Sequence, residues 1–517
     1  MAEQIAVEAK KLCYSTDLRV QVAVGGNSKS AMLRKTLYEG CHLLVATPGR
    51  LADLLSDEYS GISAPNLTTL VLDEADRLLD DGFSRDIEEI LDMLPNRQHV
   101  DRQTLLFSAT IPKEVMHLVR QTLKPNFHFV QTVKEGDLAT HEKVPQKIVI
   151  TPGLENHMPA LLELCKRGVA NAAQDAETLG AAAKPFKAIV YLSQTAQVQL
   201  CHRIFDNLQG EDGGMFRAHP LYPAEVSLMH GQLSQVDRTR VSERFRNAKS
   251  AILFSTDVTA RGMDFPNVTH VIQVGLPPNT EQYIHRIGRT GRGDKAGEGW
   301  IIISEVEAKE ARRRLRGLPI TPDKTLEAAQ LDMTQDAQLP KSLARTLSQV
   351  SNATQMVDRR LKDSAYLAYL GHAARSPGLV EALNQLTRYG WGYEKPPPVS
   401  MRTAQKMGLA RVAGMNISER GRDDVDSQFG ARGAGGRSGF GDRSGGFGGD
   451  RRQSGGFRDR GGQSGGFGGD RRQAGGFGDR GGQSGGFGNR TSDWSTGGFG
   501  GDKRGGGRGD RRGGASF

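Results

Sequence analysis

Short apolar segments alternate with longer helix-type patterns along the first 320 residues of the chain. Each short segment is apolar at consecutive positions, which is typical of a strand buried on both faces of a parallel sheet, and a helix-type pattern follows each one. The predicted strands are Val20–Val24, Leu43–Ala46, Thr69–Leu72, Thr104–Phe107, Phe129–Thr132, Ala188–Leu192, Ser227–Met229, Ala251–Phe254, His270–Gln273 and Gly299–Ile303. This alternation predicts an α/β fold built from two parallel-sheet domains.

A polar stretch at 133–146 separates the two series of strands. We predict that it links a first domain at 1–132 to a second domain at 147–320. Within the second series, 171–184 and 209–223 are rich in Ala, Gly and polar residues, so we expect surface insertions there.

The strand-type segments stop after about Pro322. The pattern over 321–415 predicts a helical extension, broken at Ser376-Pro377-Gly378 and at Pro396-Pro397-Pro398. Beyond it, 416–517 is a tail rich in Gly, Arg and Phe.

Composition separates this tail from the rest of the chain. The 517 residues carry a net charge of +9 and 65 glycines, and 36 of those glycines lie between Gly430 and Phe517, with 16 basic residues against 8 aspartates. A ten-residue repeat of the type SGGFGGDRRQ places single aromatic rings at Phe447, Phe457, Phe467, Phe477 and Phe487. Such a small apolar area cannot offset the entropy of ordering the chain, so we expect a disordered tail.

Arginine planes and aromatic rings stack on unpaired bases, while positive charge follows phosphate. The Arg-Gly-Gly pieces at Arg460 and Arg480 therefore predict a tail that binds RNA with little sequence preference. A flexible spacer, whose aspartates weaken the positive field, remains the alternative.

Several classes of protein are excluded. Cys13, Cys41, Cys165 and Cys201 form no CxxC pair, which argues against a disulfide framework or a zinc site and fits a reducing compartment. The longest apolar segments are strand-sized, so no membrane span is expected. The first residues, MAEQIAVEAKKL, contain glutamates and do not resemble a secretory signal or a transit peptide.

The predicted strand Thr69–Leu72 runs directly into Asp73-Glu74-Ala75-Asp76. A carboxylate at the carboxyl end of a buried parallel strand can hold a Mg²⁺ ion that bridges nucleotide phosphates, and a neighbouring glutamate can polarise the attacking water. A charged turn between strand and helix is the alternative for these letters alone. The wider context, LDEADRLLDDGF, resembles the DEAD-box RNA helicases, superfamily 2 ATPases with two RecA-like domains.

Further motifs agree with this resemblance in order along the chain. Ser108-Ala109-Thr110 follows a predicted strand, as the motif that links ATP hydrolysis to strand separation does in the family. STDVTARGMD, from Ser255 to Asp264, and HRIGRTGR, from His285 to Arg292, match two motifs of the family's second domain nearly letter for letter. Arginines spaced by three on one helical face repel each other, so we expect an anion opposite them; a solvated basic face is the alternative.

The resemblance implies ATP and Mg²⁺ as cofactors and RNA as the partner, and it assigns roles to individual residues. The residues expected in catalysis are Asp73, Glu74, Ser108, Thr110, His285, Arg289 and Arg292. Those expected to bind the nucleotide are Asp73, which would hold Mg²⁺ through it, with Asp264, Arg289 and Arg292. Those expected to bind RNA are Gly25, Gly26, Thr47, Arg50, Thr195, Gly231, Arg238 and Thr256, although Gly25-Gly26 taken alone would be an ordinary turn.

The extension carries a second, looser resemblance. Tyr389-Gly390-Trp391-Gly392-Tyr393 within it, together with Asp264-Phe265-Pro266-Asn267-Val268, resembles the fungal mitochondrial DEAD-box proteins that act as RNA chaperones for group I and group II introns. This implies an extension that packs on the second domain and bends RNA, with introns or ribonucleoproteins as partners and a mitochondrial location. A segment that only covers an apolar face, and a nuclear or cytoplasmic location, remain open.

One family motif is missing from the sequence. The GxxxxGK[ST] loop cradles nucleotide phosphates, yet neither Gly-Lys-Ser nor Gly-Lys-Thr occurs here, and the adenine-reading Q motif is absent too. Met1-Ala2-Glu3-Gln4-Ile5 resembles the end of the family's PTRELAxQI motif. We therefore expect an amino-terminally truncated chain whose first domain is incomplete and unstable and which does not unwind RNA with ATP by itself.

The sequence as a whole predicts an ATP-dependent RNA helicase and RNA chaperone that remodels RNA by domain closure. Three alternatives remain: a regulatory relative that has lost ATP binding, a non-catalytic RNA-binding scaffold and a DNA translocase. The RNA substrate and the oligomeric state cannot be read from the sequence.

Deletion of the residues after Gly430 should weaken RNA affinity and flatten its dependence on salt, because the basic residues of the tail release counterions when they contact phosphate. Fluorescence anisotropy with one RNA at several salt concentrations measures both quantities. Unchanged affinity would identify the tail as a spacer.

Overall fold

The computed structural model describes residues 1–418, except 27, 81, 96–100, 111–112, 132–143, 181–182, 211–218, 261, 292–296, 336–337 and 374–377. Most of the predicted linker and all of the tail from 419 onward lie outside the described residues, as does most of the break predicted at 376–378. The expectations for those segments stay predictions.

The first part of the chain forms two separate pairs of parallel strands. Strand β1 (Val20–Ala23) pairs with β2 (Leu43–Ala46), and β3 (Thr69–Leu72) pairs with β4 (Gln103–Leu106). The accompanying helices are α1 (Ala2–Leu12), α2 (Lys29–Glu39), α3 (Pro48–Ser56), α4 (Ala75–Asp80), α5 (Ser84–Met93) and α6 (Lys113–Thr122). The alternation of strand and helix agrees with the pattern in the sequence.

The prediction of strands buried on both faces is wrong for β2, β3 and β4, whereas β1 is buried at Val20, Gln21 and Ala23. Val71 in β3 remains 49% exposed, and Leu43 and Phe107 are exposed as well. Each of the four strands has a single hydrogen-bonded neighbour among the described residues, so the faces and edges that a wider sheet would cover stay open.

The strand predicted at Phe129–Thr132 is also not observed. Residues 129–131 adopt no regular structure, and Thr132 lies outside the described residues. Phe129 and Val130 are exposed to solvent. No described strand pairs with this segment, and an apolar segment without a neighbouring strand gains no ladder of backbone hydrogen bonds.

The second part of the chain is built around a seven-stranded parallel sheet with the order β11-β5-β10-β9-β6-β8-β7. The strands are β5 (Gln146–Thr151), β6 (Lys187–Tyr191), β7 (Glu225–Met229), β8 (Ala251–Ser255), β9 (His270–Val274), β10 (Glu298–Ser304) and β11 (Ile320–Pro322). The interior strands β6 and β8, which each have a neighbour on both sides, are buried at every residue. This sheet confirms the α/β class that the continuous apolar segments predict.

Helices cover both faces of this sheet. They are α7 (His157–Leu179), α8 (Thr195–Asp206), α9 (Gln235–Asn247), α10 (Thr280–Ile287), α11 (Glu305–Arg314) and α12 (Glu327–Gln330). Most of the expected insertion at 171–184 is the exposed last third of α7, because an Ala-rich sequence continues a helix readily. Residues 211–218 of the other expected insertion lie outside the described part.

The extension is mainly helical and packs on the second sheet domain. It contains α13 (Lys341–Gln355), α14 (Arg359–Ala373), α15 (Leu379–Gln385), a π-helical turn (Leu386–Gly390) and α16 (Met401–Lys406). Two short strands that the sequence pattern does not predict, β12 (Val399–Ser400) and β13 (Ile417–Ser418), pair in parallel. Tyr366 and Trp391 share one hydrophobic core with Val190 and Phe254, so the extension and the sheet bury a common surface.

None of the helices in the described part of the chain is long and apolar enough to cross a lipid bilayer.

Matched valine substitutions should reveal the difference between the two sheet regions. Val190→Ala, in a strand where the residue is 0% exposed, should lower the free energy of unfolding by about 2 kcal/mol, because it removes buried apolar surface. Val71→Ala, at 49% exposure, should cost less than about 1 kcal/mol. Urea denaturation of the two variants measures both values, and equal losses would contradict the observed burial of the strands.

Candidate nucleotide and RNA site

The acidic motif lies at the carboxyl end of β3. The Asp73 carboxylate accepts a hydrogen bond from the backbone N–H of Glu74 (2.9 Å), and Asp73 itself is exposed. Glu74 has a φ of 47°, in the left-handed region that non-glycine residues rarely adopt. Such backbone strain is concentrated at functional sites, because surrounding contacts must hold it in place.

The Glu74 side chain reaches across to the second domain. Its Oε1 accepts a hydrogen bond from the backbone N–H of Gly262 (3.1 Å). Its Oε2 is buried and has no hydrogen-bond partner among the described residues. A buried carboxylate oxygen without a donor is costly, so this atom is available to a water or a ligand group that can donate to it.

Asp76 connects three of the sequence motifs. Its Oδ2 accepts a hydrogen bond from Thr110 Oγ1 (2.8 Å) and lies 3.0 Å from His285 Nε2, and Asp76 is only 1% exposed. Its backbone N–H donates to Ser108 Oγ (3.3 Å), which in turn donates to the carbonyl of Thr110 (2.6 Å). One carboxylate therefore brings the ends of β3 and β4 together with α10 of the second domain.

Asp76 was not among the site residues expected from the sequence. The available signal was its place in the first turn of a helix that starts directly after a strand, three residues beyond Asp73. That signal cannot say which side chains approach, since His285 lies more than two hundred positions away.

Arg289 lies beside the loop 256–264 of the second domain. Its Nη1 donates to the carbonyl of Met263 (2.7 Å), and its Nε donates to the carbonyl of His285 (3.4 Å). Asp264 is exposed, and its carbonyl accepts a hydrogen bond from Arg246 Nε (3.4 Å). Arg292 lies outside the described residues.

The prediction of several arginines on one helical face is wrong. Helix α10 ends at Ile287, so Arg289 lies beyond it. Arg286 does not face an open anion site: it is 1% exposed and pairs with Asp257, at 2.6 Å through Nε and 3.0 Å through Nη2. Its charge is neutralised within the second domain.

Three of the expected RNA-binding residues follow neighbouring strands of the seven-stranded sheet. Thr195 begins α8 after β6, Gly231 follows β7, and Thr256 follows β8. Because β6, β8 and β7 are adjacent and parallel, these residues lie at one edge of the sheet. Arg238 lies on α9, where its Nε donates to the carbonyl of Leu233 (3.2 Å).

The remaining expected RNA-binding residues follow the pair β1–β2. Gly25 and Gly26 come after β1, and Gly26 has a φ of 84° that favours glycine. Thr47 precedes α3, and Arg50 within α3 lies 3.7 Å from Asp53. A Cβ atom added to Gly26 would lie 3.6 Å from the Gln235 Cβ, so this group meets the second domain at the start of α9.

His230, next to Gly231, is a further polar residue at this edge. Its Nε2 lies 3.3 Å from Gln199 Nε2. Burial, and secondarily the positive charge of Arg238, lower the pKa of His230 below its ordinary value, so the ring is neutral at neutral pH.

Comparisons with known proteins agree with this arrangement. Residues 1–118 match the family model described as DEAD/DEAH box helicase, and residues 175–294 match the helicase conserved C-terminal domain. The chain thus matches both of the domains that these family models describe.

The chain belongs to the DEAD-box ATP-dependent RNA helicase family. It is 36% identical over 429 residues to DEAD-box ATP-dependent RNA helicase 26 of Oryza sativa subsp. japonica, covering 80% of this chain and 70% of that protein. It is 49% identical over 431 residues to the mitochondrial ATP-dependent RNA helicase mss116 of Aspergillus fumigatus, covering 82% of this chain and 64% of the relative. The chain therefore spans less than two thirds of that relative.

A solved structure shows the same fold. Mss116p with its NTE and C-tail deleted, bound to ssRNA and AMP-PNP, has a TM-score of 0.65 and 27% identity. The match covers 81% of this chain and 79% of that one.

A double-mutant cycle should detect the contact between Asp76 and His285. Asp76→Ala and His285→Ala each leave a buried polar partner unsatisfied, so each should lower the free energy of unfolding by about 1–3 kcal/mol. The coupling energy between them should be at least about 0.5 kcal/mol in urea denaturation.

The exposed pair Arg203 and Asp206, 3.2 Å apart, provides the control, with an expected coupling of less than about 0.5 kcal/mol. Zero coupling between Asp76 and His285 would mean that the two domains do not make this contact in solution.

Proposed function

We propose that the protein acts as an ATP-dependent RNA helicase and RNA chaperone, which separates short RNA duplexes and remodels structured RNA by closure of its two domains. The observation that carries this proposal is the contact of the acidic strand end with the second domain. Glu74 meets Gly262, and Asp76 meets His285. Both contacts join a motif of one domain to a motif of the other, as a reaction that depends on closure requires.

The carboxylates at the end of β3 fit a nucleotide bound through Mg²⁺. Asp73 is exposed there and would hold the ion through the nucleotide, since carboxylate oxygens are ligands that Mg²⁺ prefers. When bound, ATP would supply the phosphoanhydride bond, and Mg²⁺ would supply positive charge that offsets the charge of its phosphates. Within the described residues no group of three or more His, Cys, Asp or Glu could hold a metal ion.

Individual residues of this chain would then have separate roles in ATP hydrolysis. The Oε2 atom of Glu74, buried without a donor among the described residues, is suited to accept a hydrogen bond from the attacking water and orient it. Arg289 would leave the carbonyl of Met263 and stabilise the charge that develops on the transferred phosphoryl group, and Arg292 would assist. Asp264, exposed nearby, would contact the ribose.

Ser108 and Thr110 would couple hydrolysis to the movement of RNA, because both bond to Asp76, which touches His285. Formation or loss of the contact between Asp76 and His285 would thus change the hydrogen bonds of Ser108 and Thr110 after β4. This assigns the Ser-Ala-Thr segment a positioning role rather than a chemical one.

RNA would lie across the two groups of residues that meet at Gly26 and Gln235. Glycines allow the backbone N–H groups to approach phosphate closely, and Thr and Arg side chains bind phosphate directly, so recognition would be largely independent of sequence. A closed groove that holds a bent strand is incompatible with a duplex. ATP would act through its higher affinity for the closed state.

The relatives support the proposed location, and the resemblance of the extension supports the proposed substrate class. The Aspergillus fumigatus relative is named as mitochondrial, and we propose the same compartment for this protein. Structured RNA, including group I and group II introns or ribonucleoproteins, is the proposed substrate class. The proposed domains are those at 1–132, 147–320 and 321–415, followed by the tail at 416–517.

A second candidate is an ATPase-deficient scaffold that binds RNA. It is favoured by one observation, the lack of a GxxxxGK[ST] loop in this sequence. A scaffold would bind RNA with an affinity that does not depend on ATP.

ATP turnover with single-stranded RNA, duplex DNA or no nucleic acid distinguishes these functions. It should be measured for the 517-residue chain and for a chimera in which the amino-terminal region of the Aspergillus fumigatus relative precedes Met1. We expect RNA to stimulate the chimera but not the 517-residue chain. Glu74→Gln in the chimera should lower the rate at least about 100-fold, because it removes the acceptor for the water proton.

Glu88→Gln, an exposed residue on α5, is the matched control and should leave the rate unchanged. If both proteins bind RNA and neither of them, the chimera included, hydrolyses ATP, the result would favour the scaffold. Stimulation by duplex DNA alone would identify a translocase.

A further inference from the structure

Arg286 places a buried guanidinium among the helicase motifs of the second domain, where it pairs with Asp257. Two guanidinium nitrogens of Arg286 contact the two carboxylate oxygens of Asp257, at 2.6 and 3.0 Å. Arg286 Nη1 donates to Gln273 Oε1 (3.1 Å), and the guanidinium carbon lies 5.3 Å from the centre of the Tyr191 ring. Each part of the guanidinium therefore has a partner, and its orientation is fixed.

Stability alone is a weak explanation for this pair. Removing the guanidinium from water is expensive, while the Asp257 side chain remains 37% exposed, so the attraction between them is partly screened by solvent. The bidentate geometry instead fixes distance and direction between two backbone segments, because a planar fork tolerates little rotation.

The ion pair joins a segment next to the proposed RNA contact to a segment next to the contact between the two domains. Asp257 directly follows Thr256, an expected RNA contact, and opens the short turn Asp257–Thr259. Arg286 directly follows His285, which contacts Asp76 of the first domain. A single ion pair thus lies one residue from the proposed RNA edge and one residue from the domain contact.

The same two segments meet again further along. Arg289 donates to the carbonyl of Met263, and the neighbouring Gly262 donates to Glu74. The loop 256–264 and the end of α10 are consequently fastened together at two points, and each carries one contact to the acidic strand end.

We propose that Arg286 is a positioning residue that transmits RNA contact at Thr256 through Asp257 to His285 and Arg289. This inference rests on the proposed function, because it requires RNA at the edge formed by β6, β8 and β7. A shift of the loop on RNA binding moves the Asp257 carboxylate, and the guanidinium follows because both of its bonds to that carboxylate are directional. His285, adjacent to it in the chain, then changes its distance to Asp76.

Hydrogen exchange of the full 517-residue chain, with and without a single-stranded oligouridine RNA, tests the transmission. In the wild type, RNA should slow exchange about threefold or more both at 255–260 and at 283–290. The test variant combines Asp257→Asn with Arg286→Gln, which removes both charges together and leaves no unpaired buried ion. It should keep the protection at 255–260 and lose it at 283–290.

The control combines Glu225→Gln with Arg244→Gln, which removes an exposed pair at 2.8 Å in the same domain. It should behave like the wild type. Arg286→Lys keeps the positive charge but not the fork, so it should transmit less protection than the wild type.

The outcomes separate the inference from the function on which it rests. No RNA-induced protection at 255–260 in the wild type would overturn both. Protection at 255–260 without protection at 283–290 in the wild type, or equal protection at both segments in the wild type and the double variant, would overturn the positioning role alone. Should the double variant fail to fold, the comparison between Arg286→Lys and the wild type decides, and equal protection at 283–290 again contradicts the proposal.

Discussion

The contact of the buried Asp76 carboxylate with His285 is the interaction on which the proposed mechanism depends. The carboxylate accepts from Thr110 and lies within hydrogen-bonding distance of His285, so it holds the ends of two strands and one helix of the other domain at the same point. A buried carboxylate must satisfy its oxygens, and here the partners come from separate motifs. The position of Glu74 beside Gly262 follows from the same approach of the domains. The proposed chemistry and the proposed coupling to RNA therefore share one interaction.

The two sheet regions differ because their strands have different numbers of neighbours. In the seven-stranded sheet, β6 and β8 pair on both sides and are buried throughout, and the extension adds Tyr366 and Trp391 to the same core. In the first region each described strand pairs once, and an apolar residue such as Val71 stays half exposed. The sequence pattern is similar in both regions. A run of apolar residues predicts a strand, but it does not show whether neighbouring strands are present to cover it. The first region of the described chain thus carries apolar surface that its own strands do not cover.

Much of the fold and part of the site could be predicted from the sequence. Strands such as Leu43–Ala46 and Thr69–Leu72 have the predicted bounds, because each is a short, mainly apolar segment that ends at a turn-forming or charged residue. The extent of α7, the pair β12–β13 and the lack of a strand at 129–131 could not be predicted, since each depends on a partner or its absence. The position of Arg286 could not be predicted either. The spacing of the arginines predicted that they share a helical face with an anion opposite, whereas in the fold Arg286 pairs with the Asp257 carboxylate of its own domain.

The sequence by itself determined the family, the α/β class and the order of the motifs, and it supplied the candidate residues for the proposed chemistry. These properties are local, because a motif needs particular side chains at fixed spacing along one segment. Only the tertiary structure decided which motifs touch. It selected Asp76 as the bridge, paired Arg286 with Asp257 and left one oxygen of Glu74 without a donor among the described residues. Contacts between residues far apart in the chain depend on the order of the strands in the sheet and on how the domains approach each other. A local sequence pattern does not show which distant residues will come into contact.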